Sequence, residues 1–254
     1  GIALGTIIAE WSTVIFAVWL IMRELNSRRE PGSEFWPRSR LLDAAALKKM
    51  LAANRDIMIR TLLLVFSFGF FINQSAQFGD VVLAANHILL QLISFAAFFL
   101  DGYAFVVESL VGSSVGARRR DSFDIAVKRS SILALVTATA LALLLLVFGD
   151  LAVAVLTDLE PVQTAAQGSL FLAAIYIFFS FAAFQLDGVF IGASFTRQMR
   201  NAAFLSIAVF MFAWWILMDR FGVNGLWWAM IIYVAARADA LLLFYPALRK
   251  SIDH

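Results

Sequence analysis

The chain lacks cysteine altogether, which removes disulfide frameworks, thiolate metal sites and cysteine nucleophiles from consideration. It has two histidines, His87 and His254, too far apart in sequence to read as a ligand pair, and no histidine-metal or Ser-His-acid constellation. No G-x-x-x-x-G-K-[ST] loop is present, so ATP binding of the P-loop kind is excluded. Lysines stand only at 48, 49, 128 and 250, outside every apolar run, so a Schiff-base chromophore in the last helix is impossible. Charge is scarce: charged residues make up 15% of the 254 residues and the net charge is +2, which does not make a nucleic-acid surface.

Apolar residues are abundant instead. They make up 62% of the chain, and the mean hydropathy is +0.84. A soluble domain of this size must present a polar outside to water and could not bury so much apolar surface. A bilayer removes that difficulty. At about 20 residues per span the chain has room for about seven crossings and short loops. The expected fold is all-α and polytopic, with spans at Ile2–Met22, Ile57–Phe78, Leu83–Val115, Ile132–Leu156, Ala165–Phe195, Ala202–Met218 and Val223–Leu248. The runs lack the strict alternation of barrel strands and are too long for them.

Basic residues set the expected orientation. They crowd the linker after the first span (Arg23, Arg28, Arg29, Arg38, Arg40, Lys48, Lys49, Arg55, with Arg60 just inside the second span) and the loop after the third (Arg118, Arg119, Arg120, Lys128, Arg129). Arg197 and Arg200 follow the fifth span, and Arg249 and Lys250 the last. The alternate loops hold only Arg220, with Asp80, Asp150, Asp158, Glu160 and Asp219. Every second loop is basic, which predicts an external N-terminal end and a cytoplasmic C-terminus. The chain opens on Gly1 within an apolar run, without Met or a basic n-region, and reads as a fragment of a longer protein. The expected organisation is a helix at 1–22, a polar cytoplasmic linker at 23–54 with Pro31, Gly32, Pro37 and an interfacial stretch Leu41–Leu51, a six-helix bundle at 55–248, and a tail at 249–254. An enlarged loop within one bundle is the alternative for the linker.

Charges at membrane depth cost at least about 2.5–3.5 kcal/mol each and call for a partner or a task. Glu10, Asp101, Glu108, Asp187, Arg237 and Asp239 are the candidates. Counted from the outer helix ends, Arg237, Asp239 and Asp101 fall about 21, 24 and 27 Å down, with Asp187 and Glu108 at about 33 and 38 Å. Asp101 and Glu108 share a helix face. Arg237 is therefore expected to pair with Asp101 as an interhelical clamp. Asp187, beside Gly188 and ahead of Gly192, is the candidate for ion coupling or substrate binding, with Asp101, Glu108 and Asp239 beside it. Nearer the outer end, Asn73, Gln74, Gln77, Asn86, His87 and Gln91 form a polar group suited to interhelical packing or to lining a cavity. Phe66, Phe68, Phe70, Phe71, Phe95, Phe98 and Phe99 suit either lipid contact or an apolar drug cavity.

Four stretches carry a resemblance: F-G-D-V-V-L-A-A-N-H-I-L-L-Q (78–91), F-L-D-G-Y-A-F-V-V-E-S-L-V-G (99–112), L-D-G-V-F-I-G-A-S-F-T-R-Q-M-R-N (186–201) and F-G-V-N-G-L-W-W-A (221–229). In that order they resemble the multidrug and toxic compound extrusion (MATE) transporters, the second stretch particularly the DinF-like branch. The resemblance implies two six-helix lobes around a central cavity and cation-coupled export of amphipathic or cationic compounds by alternating access. The partners it implies are such substrates, protons and the bilayer, with no cofactor and no enzymatic reaction. On that map Ile2–Met22 resembles the sixth helix, 23–54 the interlobe linker and 57–248 the C-terminal lobe, the N-terminal lobe being absent. Asp187 matches a functional acid of the tenth helix, and Asp101 and Glu108 fall in the DinF-like motif. The sequence departs from NorM-like relatives in having no acid within Thr61–Gly79, which weakens a sodium site in this lobe, and the DinF-like resemblance implies protons as the coupling ion. A lipid-precursor flippase of the same superfamily and a seven-helix receptor are the alternatives. A single deep arginine argues against the flippase.

Overall fold

The computed structural model describes residues 2–27 and 43–252, and all elements among them are helical. They are α1 (Ile2–Ser27), α2 (Ala44–Ala76), α3 (Asp80–Gly116), α4 (Arg120–Leu156), α5 (Glu160–Gln167), α6 (Leu170–Gly192) and α7 (Thr196–Ser251). The chain forms two compact units, Gly1–Lys49 and Met50–His254. In the first, α1 exposes large apolar side chains, Trp11, Ile15, Phe16 and Trp19 among them. Most of the expected linker, with Pro31, Gly32, Pro37, Leu41 and Leu42, lies outside the described residues, as does His254.

Among the described residues, six helices are long and apolar enough to cross a bilayer. The last, α7, has 56 residues, far more than one crossing requires, and Gly222 divides it with φ 54° and ψ −128°. Such a positive φ is strained for any residue with a Cβ. The reversal beyond it lays Gly225 against the Leu217 carbonyl, where a methyl group would not fit. The two halves, 196–221 and 223–251, bring the crossings to seven.

Three boundaries differ from expectation. The expected span Ala165–Phe195 is broken: Pro161 lies in the first turn of α5, and the chain bends through Gly168 and Ser169 before α6 begins. Helix α4 starts at Arg120 rather than Ile132, because its polar first turns continue the helix beyond the apolar stretch. Residues 44–51 are the opening turns of α2 rather than a separate interfacial helix, and Asp43 caps them by accepting hydrogen bonds from the amides of Ala45 (2.9 Å) and Ala46 (3.4 Å).

Within the second unit α6 is the central helix. Its most apolar stretch is 61% buried, against 28% or less in the other spans. Small residues on it (Ala173, Ala174, Ala183, Gly188) let α3, α4 and α7 come close. At Gly188 an added Cβ would strike the Ala104 carbonyl, and at Gly192 the Glu108 backbone, so α3 and α6 meet backbone to backbone. Leu62, Val65, Phe95, Val147 and Leu243 point outward from the bundle, as a lipid solvent permits.

Candidate functional site

The crossing of α3 with α6 opens into a cleft of about 470 Å³ whose walls come from α2, α3, α6 and the second half of α7. Leu64, Phe68, Ile93, Ala97, Ile177 and Ile191 supply apolar lining. Arg60, Asp101, Glu108, Asp187 and Arg237 supply charge, and Tyr176 and Ser180 add hydroxyl groups.

Asp187 stands at the hub. Its Oδ2 accepts a hydrogen bond from Arg237 Nη2 at 2.6 Å and a short one from Arg60 Nη2. The three side chains are only 12–16% exposed, so this triad is largely withdrawn from solvent and ties α2, α6 and α7 together. The Arg237 guanidinium also lies 6.0 Å from the centroid of the Tyr233 ring.

The pairing corrects the expectation that Arg237 and Asp101 form the clamp. Equal depth along straight parallel spans suggested Asp101, but partner choice follows the rotation and tilt of each helix. The glycine contact of α3 with α6 and the kink in α7 set both. Asp101 interacts electrostatically with Arg60, Arg237 and Asp187. Among the described residues neither Asp101 nor Glu108 makes a hydrogen bond or an ion pair. The expectation of a single deep arginine is corrected too. Arg60 looked like a loop-flanking charge only because α2 was expected to begin at Ile57. With the helix starting at Ala44, Arg60 lies well inside it.

The other candidates scatter. Asp239 is exposed and does not line the cleft. Asn73, Gln77, His87 and Gln91 are exposed. Asn86 is buried, accepting from Trp227 Nε1 (3.0 Å) and donating to Ser75 Oγ (2.8 Å), so it joins α2, α3 and α7 away from the cleft. Of the phenylalanines, Phe68 and Phe98 line the cleft, whereas Phe70 packs on Phe210 and Trp214, and Phe71 on Trp227. At the helix ends carrying the basic loops, Arg200 binds Asp56 (2.8 Å) and Arg249 binds both oxygens of Asp124 (3.0 and 2.5 Å). Sequence reading missed both contacts, since the partners lie more than a hundred residues apart.

A model of the MatE family matches residues 57–216. The chain belongs to the MatE family. The MatE match runs from the fourteenth residue of α2 into the first half of α7, and so includes three of the four walls of the cleft. The DNA damage-inducible protein F of Escherichia coli is 32% identical over 246 residues, which are 95% of this chain and 51% of that protein. A probable multidrug resistance protein NorM of Photorhabdus laumondii is 25% identical over 184 residues, 67% of this chain and 39% of the relative. The chain thus spans about half or less of the curated relatives it matches. Among solved structures, the Vibrio cholerae MATE transporter VcmN in its bent form superposes with a TM-score of 0.80 at 17% identity, covering 93% of this chain and 53% of the other. A point mutant of VcmN superposes with a TM-score of 0.78 at 18% identity. At such identities the likeness concerns the fold.

Proposed function

We propose that this MatE chain is the C-terminal lobe, with one preceding helix and an interlobe linker, of an antiporter that exports amphipathic cations. The observation that carries the reading is the cleft: an apolar hollow within the membrane-spanning bundle, holding three carboxylates against two guanidiniums. Apolar walls accept the body of an amphiphile, and the surplus of negative charge favours a cation over an anion. Export works by alternating access, the two lobes rocking about the cleft. The coupling ion is the proton rather than sodium, a reading supported within this lobe by the lack of a carboxylate from Thr61 to Gly79. The basic loops face the cytoplasm.

A flippase of pyrophosphate-linked lipids needs cations free to hold the phosphates. Here both arginines are engaged on Asp187, and the cleft as a whole is anionic. Ethidium export by the intact polypeptide carrying these residues, expressed in an efflux-deficient host, tests the reading. Export that stops when the proton gradient is collapsed is expected. Absence of export, or export driven by sodium alone, would overturn it.

A further inference from the structure

Four side chains of α3 follow one another at intervals of three, four and three residues: Phe98, Asp101, Phe105 and Glu108. This spacing places them on one helical face, and all four line the cleft. The stripe extends about 15 Å along the helix at 1.5 Å per residue, with a ring preceding each carboxylate. Phe98 is 75% and Phe105 67% exposed, so neither ring belongs to the packed core.

The negative charge of the cleft is unevenly committed. Across from α3, the Oδ2 of Asp187 is taken by both arginines. Asp101 and Glu108 have no hydrogen-bonding or ion-paired partner among the described residues. A carboxylate kept only for packing would be expected to hold a donor, because an unpaired charge at membrane depth is costly. Aromatic faces attract cations through the ring quadrupole, and carboxylates attract them strongly where water is scarce. Neither interaction demands a directional donor on the ligand. Alternating rings and carboxylates therefore suit a bulky cation whose charge is shielded by apolar groups, and repel an anion of the same shape.

Resting on the exporter reading, we propose that the stripe Phe98–Asp101–Phe105–Glu108 is the subsite that selects lipophilic cations, while Asp187, occupied by Arg60 and Arg237, holds the opposite wall together and does not take the cargo.

Tetraphenylphosphonium and tetraphenylborate, alike in shape and opposite in charge, separate these roles. Binding is measured by calorimetry on the intact polypeptide in lipid nanodiscs, alongside thermal unfolding of each variant. The wild type should prefer the phosphonium. Asp101→Asn and Glu108→Gln should each weaken phosphonium binding roughly tenfold, the equivalent of losing one favourable ionic contact, and leave borate binding unchanged. Phe105→Leu, which keeps apolar bulk but loses the quadrupole, should weaken the phosphonium roughly threefold. Asp101→Glu should retain the preference, guarding against a folding artefact. Variants that bind the phosphonium like the wild type, or lose both ions equally, would overturn the assignment. If the wild type exports ethidium and the stripe variants are unaltered, only the stripe falls. If the wild type neither binds the phosphonium nor exports ethidium, the exporter reading falls with it.

Discussion

Replacing Asp187 by Asn removes the charge that two guanidiniums share. Both nitrogens rest on Oδ2, so the cations lie within roughly 5 Å of each other, where two like charges repel by about 3 kcal/mol at an effective dielectric of 20. In the native triad this repulsion is outweighed by two attractions to the carboxylate. The amide offers one neutral acceptor and no countercharge. Breaking a buried pair by removing one partner costs about 3–5 kcal/mol, and the low exposure of all three groups places this triad in that class. Arg237→Met is a gentler change. It withdraws one cation and its repulsion, leaves Asp187 on Arg60, and forfeits one charged hydrogen bond of about 1.5–3 kcal/mol. The order of damage should therefore be Asp187→Asn greater than Arg237→Met, with the double variant more stable than Asp187→Asn alone because it strands one cation instead of two. Denaturant unfolding in mild detergent, supported by membrane abundance, reads this order. A wild-type midpoint for Asp187→Asn, or a larger loss from Arg237→Met, would refute the hub assignment.

The close approach of α3 and α6 makes Gly188→Ala costly. Its methyl would lie 2.8 Å from Val107 Cγ1 and closer still to the Ala104 carbonyl, for an expected loss of about 1–3 kcal/mol. Gly102→Ala, with open space around it, should be neutral or gain up to about 1 kcal/mol, and unfolding midpoints that fail to separate the two would contradict the contact. In single-cysteine variants of an otherwise cysteine-free polypeptide, Asp158→Cys should react with an impermeant maleimide added to intact cells, and Arg118→Cys should react only after permeabilisation. The opposite pattern would invert the orientation.

Composition and the length and pattern of the apolar runs determined that the molecule is helical and lives in a bilayer, because these are local properties that need no knowledge of neighbours. The seven crossings and the alternation of basic loops were legible for the same reason. So was the shared face of Asp101 and Glu108, since helical periodicity operates within one segment. Only the tertiary structure decided which charges meet. Arg60 and Asp187 are 127 residues apart, and Arg237 and Asp187 are 50 apart. Their encounter depends on how far each helix is rotated and how deeply it is set. Gly188 and Gly192 govern that by drawing α6 onto α3, and Gly222 by folding α7 back on itself. Depth counted along straight, independent spans missed this, because a few degrees of tilt or rotation carry a long side chain from one acid to another. Asn86 illustrates the same limit. Its amide is visibly polar within an apolar run, yet only packing revealed that Trp227 and Ser75 satisfy it while Asn73, Gln77 and Gln91 remain exposed.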